Sequence, residues 1–274
     1  MPELPEVETI RRSLEKGLTG QRIEALQVAN RQLRTPLQPA RLRRHLVGRR
    51  IVGIGRRAKY LLLRLSDGQV LVLHLGMSGR LSLVRSTHPL ETHTHVRFQL
   101  QGGRELRFRD HRRFGMLFIL PEADLPRHPC FAELGPEPLE AGFSPQYLWE
   151  RARSSRRPVK NFLMDAHVVV GIGNIYASEA LHRARVHPET PAQRLRLRRW
   201  QEVHAAVRET LERALRAGGT TLTDFRAADG RAGEFQVELA VYDREGEGCP
   251  RCHRRIRRLV QAGRSTYFCP GCQR

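Results

Sequence analysis

Lysine is nearly missing from this chain. Three are present, Lys16, Lys59 and Lys160, and the other 45 of its 48 basic side chains are arginine. A coding preference for arginine explains the ratio and makes the three survivors informative. An ammonium can lose its proton when desolvated, whereas a guanidinium effectively never does. Lysines kept against such a preference mark positions for proton transfer or compact phosphate contact. Long apolar runs are missing as well, since no stretch nears the roughly 18 residues needed to span a bilayer. The first residues lack the basic-then-apolar order of a secretory signal, so a cytoplasmic protein is expected. Cysteine is absent before position 249 apart from Cys130, which excludes a disulfide framework over most of the chain. Acidic residues are also few, 28 against 48 basic ones, for a net charge of +20 and a pI near 11.2. That excess points to a polyanionic partner, nucleic acid ahead of an anionic membrane surface.

Against this basic background, the opening "MPELPEVETI" gathers Glu3, Glu6 and Glu8 behind a proline that loss of Met1 would expose. Val7, Ile10, Leu14 and Leu18 lie three and four apart, which predicts an amphipathic helix over residues 3–18. "YLLLRL" and "VLVLHL" flank the turn "SDGQ", and "VRFQL" and "ELRFR" flank Gly102-Gly103, two hairpin signals. In the second pair, Arg97, Arg107 and Arg109 fall opposite Val96, Phe98, Leu106 and Phe108, predicting a sheet with one apolar and one basic face. Six of the 16 prolines fall in 121–145, a linker signal. Beyond it Leu197, Trp200, Val203, Val207, Leu211 and Leu215 mark a long helix that Gly218-Gly219 should end. Residues 219–235 are polar and glycine-containing, so a flexible loop is expected there.

Cys249, Cys252, Cys269 and Cys272 have the spacing Cys-x2-Cys-x16-Cys-x2-Cys, within the range of a four-thiolate zinc site. Two Cys-x-x-Cys knuckles suit one tetrahedral Zn²⁺, and four thiolates leave no open position for a catalytic water. The zinc should therefore be structural. Arg254, Arg255, Arg257, Arg258 and Arg264 lie between the knuckles, where they could meet phosphates or simply face solvent. Cys130 is expected to be a buried or unreactive thiol.

The remaining motifs allow more than one role. "VVVGIGNIYASEAL" fails as a dinucleotide fingerprint, because Tyr176 stands at the third glycine position. It instead predicts a tight turn capped by Asn174, either a structural cap or a phosphate site. His93 and His95 would share a strand face, with at least one of them structural. Met77 in "HLGMSG" and Arg112 and Phe114 in "RDHRRFG" lie near strand ends. Met77 and Phe114 are core filler by default. If their loops project, an apolar and cationic wedge could instead replace a base taken from the stack.

Taken together, "MPELPEVET", "RRAKYLL", "HLGMSGRL", "RRFG", "LGPEPL", "GIGNIYASEAL", "GGTTL" and the four-cysteine finger make the chain resemble, nearly end to end, the formamidopyrimidine-DNA glycosylases. The resemblance implies an α+β protein. A catalytic N-terminal helix and β-sandwich domain over 2–130 precedes a linker at 131–145. A helical domain with a helix–two-turn–helix element and lesion loop spans 146–236, and a β-hairpin zinc finger spans 237–274. It implies base-excision repair of oxidised purines by a monomer acting on double-stranded DNA that carries a damaged base or an abasic site. It also assigns roles. Pro2 resembles the nucleophile, Glu3 the general acid, Glu6 its supporting carboxylate and Lys59 the lysine that assists strand cleavage. Arg264 resembles the finger arginine that grips phosphate and serves the last elimination. His93, Arg112, Arg156, Lys160 and Asn174 fall at DNA contacts, with Arg156 departing from a lysine at its position. Met77, Arg112 and Phe114 match the trio that fills the gap left by the everted nucleotide, and 219–235 matches the segment closing over the flipped base. Glu8 is left as a helix charge.

Two other readings fit parts of the sequence. An endonuclease VIII-like enzyme for oxidised pyrimidines is disfavoured by Leu4 and by the Met77/Arg112/Phe114 set. A non-catalytic zinc DNA-binding protein leaves Pro2, Glu3 and Lys59 without a purpose.

Overall fold

The computed structural model describes residues 2–29, 32–220 and 238–274. It separates into two units. The first runs to Ala132 and takes in residues 217–220; the second comprises Glu133–Arg216 and the described residues from 238 onward.

Helix α1 (Leu4–Leu18) opens the first unit, with Pro5 in its first turn, where a missing N–H costs nothing. Val7, Ile10, Leu14 and Leu18 are each at most 1% exposed, as the spacing predicted. At roughly 1.5–3 kcal/mol per buried side chain, they anchor the helix on the sandwich. One sheet has the order β1 (Ile23–Val28), β6 (Thr94–Leu100), β7 (Arg104–Asp110), β5 (Gly79–Arg85). The other is β2 (Ile51–Arg57), β3 (Tyr60–Leu65), β4 (Gln69–His74), β8 (Met116–Pro121). All pairs are antiparallel, and both expected hairpins form, β3–β4 and β6–β7. Helix α2 (Pro39–Leu46) follows β1 and buries Leu42 and Leu46.

Val96, Phe98, Leu106 and Phe108 are buried as expected, but the opposite face is not simply basic. Glu105 lies among the arginines, 2.5 Å from Arg97 and 2.8 Å from Arg107. Burial raises the pKa of its carboxyl, yet hydrogen bonds from Arg97 and Arg107 hold it below the usual range. A lone buried guanidinium would be costly, and Glu105 makes Arg107 tolerable at 4% exposure.

The second unit is helical: α3 (Pro145–Ala152), α4 (Val159–Leu163), α5 (Asn174–Arg183) and α6 (Leu197–Arg216). Ser144 caps α3 by accepting from the Tyr147 N–H. Trp200, Val203, Val207 and Leu211 are buried along α6, which ends before Gly218 and Gly219 with φ of 74° and 83°. The hairpin β9 (Arg257–Gln261) and β10 (Arg264–Phe268) carries the finger. No described helix is long and apolar enough to cross a membrane.

Candidate active site and nucleic-acid interface

The chain start is tightly held. Pro2 and Glu3 are buried, and Glu6 is 0% exposed. Glu6 Oε2 accepts from the Glu3 N–H at 2.8 Å, the return half of a capping box. Its Oε1 accepts from the Thr220 N–H at 2.9 Å and the Thr220 hydroxyl at 3.0 Å. Gly219 makes this approach possible, because a Cβ there would lie 2.9 Å from Glu6 Oε1. Sequence reading placed Glu6 beside Glu3 but missed its partner Thr220, 214 residues away. From residue 221 onward, the expected loop over the flipped base lies outside the described residues.

Lys59 is half-buried in the turn between β2 and β3. Nearby, Tyr60 pairs with His74 across β3–β4, ring centroids 4.9 Å apart. Burial, reinforced by the cations Lys59 and Arg34, pushes His74 down to about 4. Its neutral Nδ1 accepts from the Gly76 N–H at 3.0 Å. Cys130 is half-buried beside Tyr60, whose hydroxyl burial and the Cys130 thiol push up to about 12.

Met77 and Phe114 are 40% and 45% exposed, unlike core filler. The Arg112 guanidinium lies 4.9 Å from the centre of the Phe114 ring, and the turn that carries Met77 adjoins theirs, since a Cβ on Gly76 would meet the Phe114 backbone. The two histidines of "HTH" part company. His93 precedes β6, has φ 64° and is exposed, so strand alternation does not govern it. His95 is buried, with Nε2 2.7 Å from the Asp110 carbonyl oxygen.

In the second unit, Asn174 is the first residue of α5 and does not cap it; Gly173 holds the cap position without a side-chain bond. The expected Asn174 cap is thus replaced by longer-range contacts. Asn174 Oδ1 accepts from Lys160 Nζ at 2.5 Å, and its Nδ2 donates to the Ser265 carbonyl at 2.8 Å. Lys160 is 1% exposed and also donates to Thr266 Oγ1 at 2.6 Å. Its ammonium therefore ties α4 and α5 to the hairpin. Arg156 and Arg264 are exposed.

The four finger sulfurs lie within 4.8 Å of one another, with Cys249–Cys272 at 3.8 Å and Cys252–Cys269 at 3.4 Å. Tetrahedral Zn–S bonds of about 2.3 Å call for sulfurs about 3.8 Å apart, so the four cysteines fit one structural zinc. Two supports were missed in the sequence. His182 Nε2 lies 3.4 Å from Cys249 Sγ, and burial with nearby Arg251, Arg183 and Arg244 pushes this imidazole down to about 4. Glu179 accepts from the backbone N–H groups of Ala240, Val241 and Tyr242 at 2.8–2.9 Å. Burial raises its carboxyl pKa although those three donors oppose it. The single carboxylate in "IYASEALHRA" was the available signal.

Known proteins match this arrangement throughout. Residues 1–117 match the formamidopyrimidine-DNA glycosylase N-terminal domain, 134–226 the H2TH domain of that enzyme, and 246–274 the zinc finger found in FPG and IleRS. The chain belongs to the formamidopyrimidine-DNA glycosylase family. It is 51% identical over 274 residues to the formamidopyrimidine-DNA glycosylase of Aromatoleum aromaticum, covering 100% of both chains. Identity to the Desulforamulus reducens protein of the same name is 46% over 276 residues, covering 100% of this chain and 99% of the relative. Among solved structures, a Lactococcus lactis FPG mutant bound to Fapy-dG-containing DNA superposes with TM-score 0.93 at 35% identity over 100% of both chains. A complex of Lactococcus lactis Fpg with abasic-site DNA gives 0.92 at 35% identity over 99% of each. The α+β fold expected from the resemblance is the family's fold.

Proposed function

We propose that this protein excises oxidised purines, 8-oxoguanine and formamidopyrimidines, from duplex DNA and then cleaves the strand at the resulting abasic site. The observation that carries this reading is the start of the chain, where Glu6 is locked between the Glu3 backbone and Thr220. Such fixing of one carboxylate beside another is what a positioned general acid requires. Loss of Met1 would leave Pro2 as a secondary amine. That nitrogen attacks C1′, the bond from C1′ to the base breaks, and Glu3 gives a proton to the sugar ring oxygen or the leaving base. Ring opening leaves an iminium cation, which acidifies C2′–H. Loss of that proton expels the 3′ phosphate by β-elimination, and a second elimination expels the 5′ phosphate. Glu6 orients Glu3 and offsets the cation; Lys59 assists strand cleavage and Arg264 grips phosphate in the last elimination.

The DNA-contacting roles are assigned on exposure and charge. His93, Arg112 and Arg156 offer exposed cationic or polar groups to phosphates, and Lys160 acts through Asn174, whose amide it holds. Met77, Arg112 and Phe114 fill the space left by the everted nucleotide, whose extrusion costs least where the base is damaged. Most of the chemistry falls in the domain expected over 2–130, with Thr220 holding Glu6 and Arg264 of the finger serving the last elimination, while the helical domain and the 237–274 finger hold the duplex. Zinc at Cys249, Cys252, Cys269 and Cys272 supplies rigidity to the finger.

Borohydride reduction during reaction with an 8-oxoguanine duplex tests the nucleophile. The expected result is a covalent adduct with the mature chain and none with a variant whose start is blocked by an uncleaved extension. Equal trapping by the blocked variant refutes the Pro2 role. Oxidised pyrimidines belong in the same lesion panel, since a solved Lactococcus lactis complex holds DNA of that kind. Thymine glycol excision far faster than 8-oxoguanine excision would move the chain to the pyrimidine reading.

A further inference from the structure

Met77, Arg112 and Phe114 project from two different turns, and one buried carboxylate joins those turns. Asp110, at the end of β7, is 0% exposed. Its Oδ1 accepts from the Ser78 hydroxyl at 2.6 Å, and its Oδ2 accepts from the Gly115 N–H at 2.7 Å. Ser78, 7% exposed, accepts in turn from the Arg112 N–H at 3.1 Å. The backbones touch as well. Gly76 has φ 63°, and a Cβ on it would lie 2.5 Å from the carbonyl carbon of Phe114. The end of β7 is itself fixed by His95, whose Nε2 meets the Asp110 carbonyl oxygen. Every link therefore runs from the rigid sheet to the residue beside a projecting side chain: Ser78 beside Met77, Gly115 beside Phe114, and the N–H of Arg112 itself.

We propose that Asp110 is a positioning residue that sets the relative height of Met77, Arg112 and Phe114, so that the three enter the duplex as one preformed wedge. The inference rests on the wedge reading given above. Side chains on two independent loops would each lose conformational freedom on insertion, and a shared buried anchor removes much of that loss from the binding step. A carboxylate suits the task because it accepts from both turns at once and has no proton to place. Asparagine can keep one of the two bonds as acceptor but turns a donor toward the other.

The test separates eversion from chemistry. A duplex carrying 2-aminopurine beside 8-oxoguanine reports base extrusion by fluorescence, and a preformed abasic duplex reports strand cleavage with no base to extrude. Asp110→Ala is expected to slow both the fluorescence rise and 8-oxoguanine excision by about tenfold or more, the scale of a lost buried hydrogen-bond pair. Abasic cleavage should stay within about threefold. Asp110→Asn should recover part of the loss. Ser78→Ala, milder for folding, should shift the same readouts in the same direction and carries the test if Asp110→Ala does not fold. In a Met77→Ala/Phe114→Ala background, Ser78→Ala should slow extrusion no further. The proposal is overturned if a folded Asp110→Ala or Ser78→Ala protein extrudes the base at the wild-type rate. It is also overturned if excision and abasic cleavage fall equally, or if Ser78→Ala adds its full effect without the wedge side chains. Should Met77→Ala/Phe114→Ala itself extrude normally, the wedge reading fails and takes this proposal with it.

Discussion

Glu6 in the first unit and Glu179 in the second are both buried carboxylates in a strongly basic chain, and both hold a segment distant in sequence. Glu6 accepts from the Glu3 N–H and from the backbone and hydroxyl of Thr220. Glu179 accepts three consecutive N–H groups, Ala240 to Tyr242. Their surroundings differ. Glu6 lies next to the proposed acid and nucleophile, whereas Glu179 lies inside the unit that holds the cysteine cluster. One chemical device thus serves two ends, fixing the proposed acid in one place and joining a finger to its helix in the other. The two should be separable by which property fails when each is removed.

Glu179→Ala is expected to have the largest effect. It leaves the N–H of buried Val241 and those of half-buried Ala240 and Tyr242 without their acceptor, and at about 1–3 kcal/mol for each unsatisfied buried group the loss should reach about 3–5 kcal/mol. Thermal or denaturant unfolding, with zinc content measured alongside, should show lower stability and poorer metal retention. Glu179→Gln should lose less, because its remaining oxygen can still accept from Val241 and Tyr242. Unchanged unfolding in the alanine variant would break the comparison at its structural end.

Acid should weaken the first unit through His74. Its pKa near 4 in the fold lies below the usual value of 6.5, so the unfolded chain takes up the proton first. The associated stability is present above about pH 6.5 and is lost as pH falls toward 4, by up to about 3 kcal/mol. His182 in the second unit is held near the same value, so the His74→Gln variant is needed to isolate the first unit's share. Its unfolding free energy should vary less between pH 6.5 and 4 than that of the wild type. An identical pH profile would remove His74 from the account.

Glu6→Gln sharpens the contrast from the other side. Its oxygen can still accept from Thr220, but its amide would meet the Glu3 N–H as donor against donor. Excision in a single turnover should fall about 10- to 100-fold, while stability falls by only about 1–2 kcal/mol. A variant whose activity loss is fully explained by unfolding would make Glu6 a structural residue like Glu179.

Local patterns in the sequence carried most of the fold. The three-and-four spacing of Val7, Ile10, Leu14 and Leu18 and the alternation in "VRFQL" concern neighbours along the chain, and so does the knuckle spacing of the cysteines. These local signals each formed the element they predicted. What stayed hidden was polar and long-range. Thr220 meets Glu6 across 214 positions of the chain, a pairing that no local window contains. Glu105 pairing with Arg97 and Arg107, and Asp110 tying Ser78 to Gly115, were equally invisible as residues between more conspicuous neighbours. Asn174 looked like a cap because its type and turn suited one, yet Lys160 and Ser265 hold its amide. Sequence offered candidates for the residues that carry chemistry, whereas the residues that hold those candidates still emerged only from the fold.

Glu8 provides the smallest and most discriminating test, because it shares α1 with Glu6 but not its role. It is more than the helix-end charge expected from sequence. Its oxygens lie 3.0 Å from Arg11, 2.9 Å from Arg12 and 3.2 Å from Arg56 on β2. Burial raises its carboxyl pKa, but hydrogen bonds from Arg11 and Arg12 outweigh this and hold it below the usual value. A depressed carboxylate pKa stabilises the fold above the unfolded value of about 4.5, and that contribution is lost as pH falls through the folded pKa. Glu8→Gln should therefore cost about 1 kcal/mol at pH 7, with the difference from wild type closing in more acidic solution. Excision should stay within about twofold of wild type, since the partners of Glu8 are Arg11, Arg12 and Arg56. If Glu8→Gln slowed excision as much as Glu6→Gln, the effect would belong to the seating of α1 as a whole, and the distinction between a carboxylate that positions an acid and one that only joins segments would not hold for this helix.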